Sequence, residues 1–187
     1  MSAGSVGSAM GSAHFDTVVI NGSVGTGKTT TAEGLGTELE QLGIPGAVID
    51  ADWLRWSWPA PEGDPFRLDL ALQNMRAVAS NFRSAGAQVL VVAGVIESLE
   101  ELRRTEAALD ASRLLHVRLA AADGVVSSRL ARRHEGDAVA LEWHASRHPE
   151  LAQILDQAGF EEELLIDTSG RPVSGVVDEI LAAVTSR

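Results

Sequence analysis

The feature that most constrains this chain is a glycine-rich loop between a strand-like segment and a helix-like segment. Residues 22–29 read Gly-Ser-Val-Gly-Thr-Gly-Lys-Thr, which matches the phosphate-binding pattern G-x-x-x-x-G-K-[ST]. Residues 15–21 are largely apolar and β-branched, as in a buried strand, and Leu35 and Leu39 follow the loop at helical spacing. Strand, loop and helix in this order surround phosphate groups with backbone N–H groups and a positive helix end. We therefore expect the chain to bind a nucleoside triphosphate.

The basic residue of this loop, Lys28, is the only lysine in the chain. The other fourteen of the 15 Lys and Arg residues are all arginine. An ammonium is a compact charge that fits between two phosphates, whereas a guanidinium is a planar fork. We expect Lys28 to contact the β- and γ-phosphates of ATP and the Thr29 hydroxyl to ligate Mg²⁺. A dinucleotide loop starting at Gly25 is excluded, since it would require glycine at position 30. The residues predicted to bind the nucleotide are Gly22, Ser23, Val24, Gly25, Thr26, Gly27, Lys28, Thr29 and Thr30.

The length and composition of the chain exclude several classes of protein. A length of 187 residues, 45% of them apolar, suffices for one well-buried domain and is short for two. A net charge of −11 argues against an extended nucleic-acid surface, and the absence of cysteine excludes disulfides and Cys-ligated metals. Residues 1–13 are rich in Ser, Gly and Ala and lack the pattern of a signal peptide, so we predict a disordered tail. With no apolar run of membrane-spanning length, we expect a cytoplasmic protein.

Strand-like and helix-like segments alternate along the rest of the chain. Short apolar strands are predicted over residues 47–50, 88–92, 114–119 and 164–167, and helical spacing separates each from the next. Such alternation gives a parallel sheet with helices on both faces. We therefore predict an α/β three-layer sandwich with a five-stranded parallel sheet, in a single domain over 14–187 that acts as a monomer or homodimer. The helix from about 138 to 158 is expected to break at Pro149.

Two carboxylates follow the second predicted strand, at the edge where parallel sheets bind their ligands. Asp50 and Asp52 are at alternating positions, so we expect only one of them to face the site if the strand continues. A carboxylate here can accept the proton of an attacking hydroxyl or orient that hydroxyl. In the structural alternative, Asp52 caps the next helix and Asp50 merely ends the strand. We take Asp52 as the candidate catalytic base.

Tryptophans cluster beside these acids. Trp53, Trp56 and Trp58 lie within six residues, and the first two are separated by three, so they can share one helical face. Indole rings offer a flat surface for an aromatic substrate ring, and they equally suit a core or the underside of a lid.

Arginines cluster on a later predicted helix. Arg129, Arg132 and Arg133 fall on one helical face. Positioned arginines stabilise the charge on a transferring phosphoryl group, so we expect an Arg-bearing lid over about 127–148. The alternative is a solvated face in which these arginines pair with Glu135 and Asp137. The five histidines show no metal-site spacing, which leaves nucleotide-bound Mg²⁺ as the only metal expected.

Together these motifs resemble small P-loop kinases of the nucleotide-kinase-like group, such as adenylylsulfate kinases, gluconate-type kinases and chloramphenicol phosphotransferase. Residues 50–55, Asp-Ala-Asp-Trp-Leu-Arg, are similar to the Asp-Gly-Asp-x-x-Arg segment of adenylylsulfate kinases, which contacts the acceptor. In the drug phosphotransferase the corresponding Asp is taken as the base, which implies that role for Asp52. Residues 167–172 resemble the loop that packs against adenine, which implies that Arg171 lines the adenine site. The acceptor-binding residues implied by the resemblance are Asp52, Trp53, Arg55 and Trp56.

The chain departs from this group at its third strand. Residues 91–97, Val-Val-Ala-Gly-Val-Ile-Glu, lack the acid that usually closes the strand as a Mg²⁺ partner. Mg²⁺ is then held by Thr29 and water alone, or a nearby acid assists, namely Asp50, Asp52 or Glu97. The resemblance implies an ATP- and Mg²⁺-dependent kinase that phosphorylates a hydroxyl of a small organic molecule other than adenylylsulfate. The alternatives are a nucleoside or nucleoside monophosphate kinase, and a nucleotide-binding ATPase or switch without a small-molecule acceptor.

Overall fold

The computed structural model describes residues 13–160 and 163–186, over which strands and helices alternate as expected. The tail predicted over 1–13 lies outside the described residues except for Ala13, which packs against the core. In chain order the elements are β1 (Thr17–Gly22), α1 (Lys28–Gln41), β2 (Gly46–Asp50), α2 (Ala51–Leu54), α3 (Leu68–Ser84), β3 (Val89–Ala93), α4 (Leu99–Leu109), β4 (Leu114–Ala120), α5 (Asp123–Arg133), α6 (Ala138–Gln157), β5 (Glu163–Asp167) and α7 (Val173–Thr185).

The five strands form one parallel sheet in the order β2-β3-β1-β4-β5. The central strand β1 is buried along its whole length, as expected for a strand covered on both faces. Because all strands run the same way, their carboxyl ends meet at one edge of the sheet. The glycine-rich loop therefore lies in the middle of that edge, with the ends of β2 and β5 on opposite sides of it.

Two apolar cores hold the helices against the sheet. On one face, α1 and α7 contribute Leu35 and Ile180, and on the other, α3 and α4 contribute Met75 and Leu109; all four are buried. Removing such side chains from water is the main favourable term in folding. The sheet thus forms the middle of three layers, and the predicted α/β sandwich with a five-stranded parallel sheet is confirmed.

The helix α6 differs from expectation at Pro149. The predicted break is wrong, because α6 runs unbroken from Ala138 to Gln157 with the proline inside it. The proline ring removes one helix hydrogen bond, to the carbonyl of Ala145. Tertiary packing compensates, since the neighbouring His148 and Leu151 are buried against the rest of the domain. Neither α6 nor any other helix in the described part of the chain is long and apolar enough to cross a membrane.

Candidate active site

The glycine-rich loop has a backbone that requires glycine. A Cβ on Gly22 would lie 2.5 Å from the carbonyl oxygen of Leu119, closer than atoms can approach. Gly27 has φ +101°, in the left-handed region that glycine adopts without strain. Gly27 is also the N-cap residue of α1, and no described side chain caps this helix. The first N–H groups of α1 are therefore open to bind an anion such as phosphate.

Lys28 lies partly buried at the start of α1, and its ammonium donates to the Ser23 carbonyl oxygen at 3.0 Å. Burial lowers the pKa of Lys28 to about 8, while the nearby Asp52 and Asp50 carboxylates oppose the shift and the Arg133 guanidinium adds to it. The loop thus holds a cation that has lost much of its hydration. A bound phosphate would restore the stability of that charge.

The second strand ends at Asp50, and the chain turns directly into α2. One Asp50 carboxylate oxygen accepts the Asp52 backbone N–H at 2.9 Å and so caps α2. The other accepts the Thr29 hydroxyl at 2.8 Å. Our expectation that only one of the two acids faces the site is therefore wrong, since both line the same cavity, and the capping residue is Asp50 rather than Asp52. The Asp52 carboxylate accepts no hydrogen bond from a described residue.

The pair of Thr29 and Asp50 fits a magnesium ion. Hydroxyl and carboxylate oxygens are the ligands that Mg²⁺ prefers, usually with waters and substrate phosphates completing its shell. Within the described ranges, no group of three His, Asp or Glu side chains could hold a metal ion by itself. Glu97, the other acid considered, is bound to Arg147 at 2.8 Å.

The three clustered arginines on α5 all line the cavity but have different surroundings. The Arg129 guanidinium donates to the carbonyl oxygens of Gly25, Thr26 and Thr168 and to the Thr168 hydroxyl, at 2.9–3.4 Å. Arg132 and Arg133 are exposed, and neither forms a hydrogen bond or ion pair within the described residues. Arg129 therefore joins the phosphate loop to the end of β5, while Arg132 and Arg133 keep their donors available for a ligand.

Arg171 lies in the segment that leads from β5 into α7. Its guanidinium donates to the Glu179 carboxylate and to the Gly175 carbonyl oxygen, both at 2.8 Å. It also lines the cavity, together with Val173 and Val176 from α7. We refer to Arg129, Thr168 and Arg171 as the β5 end of the cavity.

On the other side of the phosphate loop, α2 carries aromatic side chains into the cavity. Trp53 and Trp56 stack on each other, with ring centroids 4.9 Å apart and an angle of 29° between the rings. The two rings are therefore on one side of the segment, but not on one helical face as predicted, because α2 ends at Leu54 and Trp56 lies beyond it. Asn74 holds this segment by donating to the Leu54 carbonyl oxygen at 2.7 Å. We refer to five of the cavity-lining residues on this side as the β2 end: Asp52, Trp53, Arg55, Trp56 and Phe66.

A buried histidine connects α6 to the phosphate loop. His148 is buried, with Nδ1 2.8 Å from the Ser23 hydroxyl oxygen and Nε2 3.3 Å from an Asp123 carboxylate oxygen. One nitrogen thus contacts the loop and the other contacts the start of α5. His148 follows Arg147 on a helix with no recognisable motif, so no local signal pointed to this contact.

One cavity of about 760 Å³ contains nearly all the predicted site residues. Gly22 and Ser23 are the exceptions, since both are buried at the start of the loop and do not line the cavity. Phe66, from the stretch before α3, and Trp143, on α6, line the cavity without having been predicted. Trp143 is four residues before Arg147, so a shared helical face was the one signal that could have linked it to the site.

Comparison with protein families identifies the group to which the chain is related. A family model described as "AAA domain" matches residues 18–146, which is more than half of the chain. The chain belongs to this family. The matched region includes the phosphate loop, Asp50, Asp52 and the three clustered arginines of α5. No curated protein matches the sequence significantly.

Solved structures of similar fold come from small P-loop proteins. A gluconokinase from Sinorhizobium meliloti superposes with a TM-score of 0.59 and 21% identity, over 89% of each chain. The tunicamycin resistance protein of Deinococcus radiodurans gives 0.59 and 25%, over 89% of this chain and 93% of that one. A shikimate kinase from Acinetobacter baumannii gives 0.57 and 17%, over 91% and 93%. The P-loop NTPase fold and the predicted resemblance to this group are confirmed.

Proposed function

We propose that this protein is a kinase that transfers the γ-phosphoryl group of ATP to a hydroxyl of a small organic molecule. The observation that carries the proposal is the division of one cavity by the phosphate loop. The loop, Lys28 and the open N–H groups at the start of α1 suit the phosphates, and the β5 end lies on the side of the loop where we place the nucleoside. The β2 end adds a carboxylate, Asp52, that no described residue engages. The cavity of about 760 Å³ has room for a second molecule beside a nucleotide.

The two acids of this site have separate tasks in the proposal. Asp50 is already bound to the Thr29 hydroxyl and to the start of α2 through its two oxygens. Thr29 and Asp50 would together hold Mg²⁺, which neutralises charge on the β- and γ-phosphate oxygens. The Asp52 carboxylate is left to accept the hydroxyl proton of the acceptor molecule.

The transfer itself needs no group outside the cavity. The acceptor oxygen forms a bond to the γ-phosphorus, the bond from that phosphorus to the bridging oxygen of ADP breaks, and the acceptor proton passes to Asp52. Lys28 and the N–H groups at the start of α1 hold the phosphates. Arg132 and Arg133, whose donors are unused among the described residues, would bind the equatorial oxygens of the transferring group.

The solved structures support the reaction class. Proteins titled gluconokinase, sugar kinase and shikimate kinase share this fold across about nine-tenths of the chain. All three names describe kinases acting on small hydroxylated molecules. Their low sequence identity leaves the acceptor to be inferred from the β2 end, which is where a second substrate would bind.

The test is ADP formation from ATP and Mg²⁺ across nucleosides, nucleoside monophosphates, sugars, amino acids and aromatic alcohols. We expect ADP formation to require one class of acceptor and to disappear in Lys28→Ala. Thr37→Ala serves as the control, since this exposed hydroxyl on α1 donates only to the Glu33 carbonyl of its own helix. ATP hydrolysis that no acceptor stimulates would contradict the proposal and indicate an ATPase or switch.

A further inference from the structure

The aromatic side chains around the cavity are exposed to an unusual degree. Trp53, Trp56, Phe66 and Trp143 are 69%, 66%, 74% and 59% exposed, and all four line the same cavity. Large apolar side chains scattered singly over a surface are ordinary, but several around one cavity mark a binding site. We call these four residues the aromatic cluster. Their exposure indicates that a ligand, rather than the protein core, is their packing partner.

The cluster is assembled from three separate segments of the chain. Trp53 and Trp56 come from α2 and its end, Phe66 from the stretch before α3, and Trp143 from the first half of α6. The indole of Trp143 meets the His144 ring edge-on, at 4.8 Å between centroids and 86° between planes. Residues distant in sequence thus bring ring faces to a single space, which a short apolar run on one exposed helix would not do.

The cluster lies on the acceptor side of the cavity. Trp53 is adjacent to Asp52 at the end of β2, and β2 and β5 are the opposite edges of the sheet. Trp143 belongs to the same side, because one turn later Arg147 binds Glu97 at 2.8 Å in the loop after β3, the strand next to β2. The nucleotide contacts at the β5 end, Thr168 and Arg171, lie across the phosphate loop from it.

We propose that the acceptor of this kinase is an alcohol that carries a flat aromatic ring, which binds by stacking on the aromatic cluster while its hydroxyl reaches Asp52. This inference rests on the proposed function. Ring faces attract other ring faces through dispersion and favourable offset stacking, and indole is the largest such surface. A sugar or polyhydroxylated acid would instead need a hydrogen-bonding partner for each of its oxygens. Polar side chains also line this side of the cavity, but Glu97 and Arg147 are paired with each other and Asp50 is bound to Thr29, which leaves fewer partners for such a molecule.

The chain provides a matched control. Trp58 is two residues beyond Trp56 and 81% exposed, yet it does not line the cavity. Trp53→Ala and Trp58→Ala therefore remove the same exposed side chain from the same segment. Substitutions at exposed positions seldom unfold a domain, so both variants are expected to fold. Only Trp53→Ala, and Trp143→Ala on α6, are expected to affect the acceptor.

The first measurement is binding without ATP, so that it does not depend on turnover. Saturation-transfer NMR compares adenosine with ribose and 2-phenylethanol with 2-cyclohexylethanol on wild-type protein and the three variants. We expect the aromatic member of at least one pair to bind better, with affinity reduced about tenfold in Trp53→Ala and unchanged in Trp58→Ala, as for loss of one stacking partner. The inference is overturned if no aromatic member binds better than its counterpart, or if Trp58→Ala weakens binding as much as Trp53→Ala.

The second measurement is ADP formation with the same compounds and variants. Stacking acts equally on bound substrate and transition state, so we expect Trp53→Ala to raise the acceptor KM about tenfold and leave kcat nearly unchanged. ADP formed with ribose or other non-aromatic alcohols, and with no aromatic one, would overturn the aromatic acceptor but keep the kinase. Aromatic binding that depends on Trp53, with no ADP formed, would keep the aromatic site and overturn the kinase.

Discussion

The two ends of the cavity differ in how far their polar groups are already satisfied. At the β5 end, the Arg129 guanidinium makes four hydrogen bonds and Arg171 makes two. At the β2 end, the Asp52 carboxylate has no hydrogen bond from a described residue, and the tryptophans expose most of their surface. Because the side chains of the β5 end are already held in place, they lose little conformational entropy when a ligand binds. The groups of the β2 end instead need a ligand to supply their hydrogen bonds and packing contacts. The difference supports our proposal that the nucleotide binds at the first region and the acceptor at the second.

The largest expected effect is at Asp52. Asp52→Asn keeps the shape of the side chain and removes its ability to take a proton, so we expect kcat to fall about 10²- to 10⁴-fold while the KM for ATP changes little. Steady-state kinetics with a confirmed acceptor measure this. Asp50→Asn is the matched variant, and we expect it chiefly to raise the Mg²⁺ concentration needed for activity. Near-normal turnover in Asp52→Asn would show that the β2 end contains no catalytic base.

The second prediction compares the stability and activity of variants at two arginines of α5, Arg129 and Arg133. Arg129→Met removes hydrogen bonds that tie the phosphate loop to the end of β5, and we expect the free energy of unfolding to fall by about 2 kcal/mol. Arg133→Met removes a guanidinium without such partners, so stability should change by less than about 0.5 kcal/mol while kcat falls. Urea unfolding and kinetics of both variants test this. Equal losses of stability would mean that the two residues are not distinguished as the contacts indicate.

The third prediction concerns the pH dependence of ATP affinity, which follows from the charge of Lys28 at the centre of the cavity. The lowered pKa of Lys28, about 8, means that ligand-free protein loses this charge above pH 8 and must take up a proton to bind phosphate. We expect ATP affinity to be flat below pH 7 and to fall up to about tenfold per pH unit above 8. From this group alone, the stability of the ligand-free protein rises with pH between about 8 and 10.5, since the unfolded chain then binds more protons.

Calorimetric titration with ATP in buffers of different ionisation enthalpy would detect the proton uptake linked to Lys28. In Asp52→Asn a neighbouring negative charge that raises the Lys28 pKa is lost, so the fall in affinity should begin at lower pH. An unchanged profile in that variant, or no proton uptake near pH 8, would contradict the assignment.

The smallest effect tests the contact between α6 and the loop. His148→Asn retains a donor near the position of Nδ1, which faces Ser23, whereas His148→Gln retains one near Nε2, which faces Asp123. Since a single hydrogen bond contributes about 1 kcal/mol, we expect the KM for ATP to rise about three- to fivefold in His148→Gln and less in His148→Asn. The reverse order would indicate that the Asp123 contact, rather than the Ser23 contact, matters to the loop.

Local patterns predicted the fold and the centre of the site well. The strand, loop and helix around Lys28 are encoded within a few residues, because glycine conformations and apolar spacing act locally. The alternation of strands and helices then predicted one architecture, a parallel sheet with helices on both faces. The match between residues 50–55 and an acceptor segment placed Asp52 and Trp53 in the cavity, although not the turn that brings Asp50 to Thr29.

What could not be predicted depended on contacts between distant segments. Pro149 is tolerated in α6 because His148 and Leu151 are held by other elements, which helix propensity does not express. Trp143 is ninety residues from Trp53 in sequence, and Phe66 lies in a stretch with no periodic pattern. Arg129 is bound to the loop, whereas Arg133 is available for a ligand. This difference depends on the orientation of α5, which the helical spacing of the two arginines does not reveal.

The single lysine of the chain also makes the protein its own spectroscopic probe. Lysine labelled with ¹³C and ¹⁵N would give one side-chain signal in the spectrum, and that signal would come from the centre of the cavity. With a pKa of about 8, the side chain is roughly half neutral at pH 8, so its chemical shift would follow charge as well as contact. Nucleotide binding, acceptor binding and proton uptake could then be followed at one nitrogen atom without altering a residue.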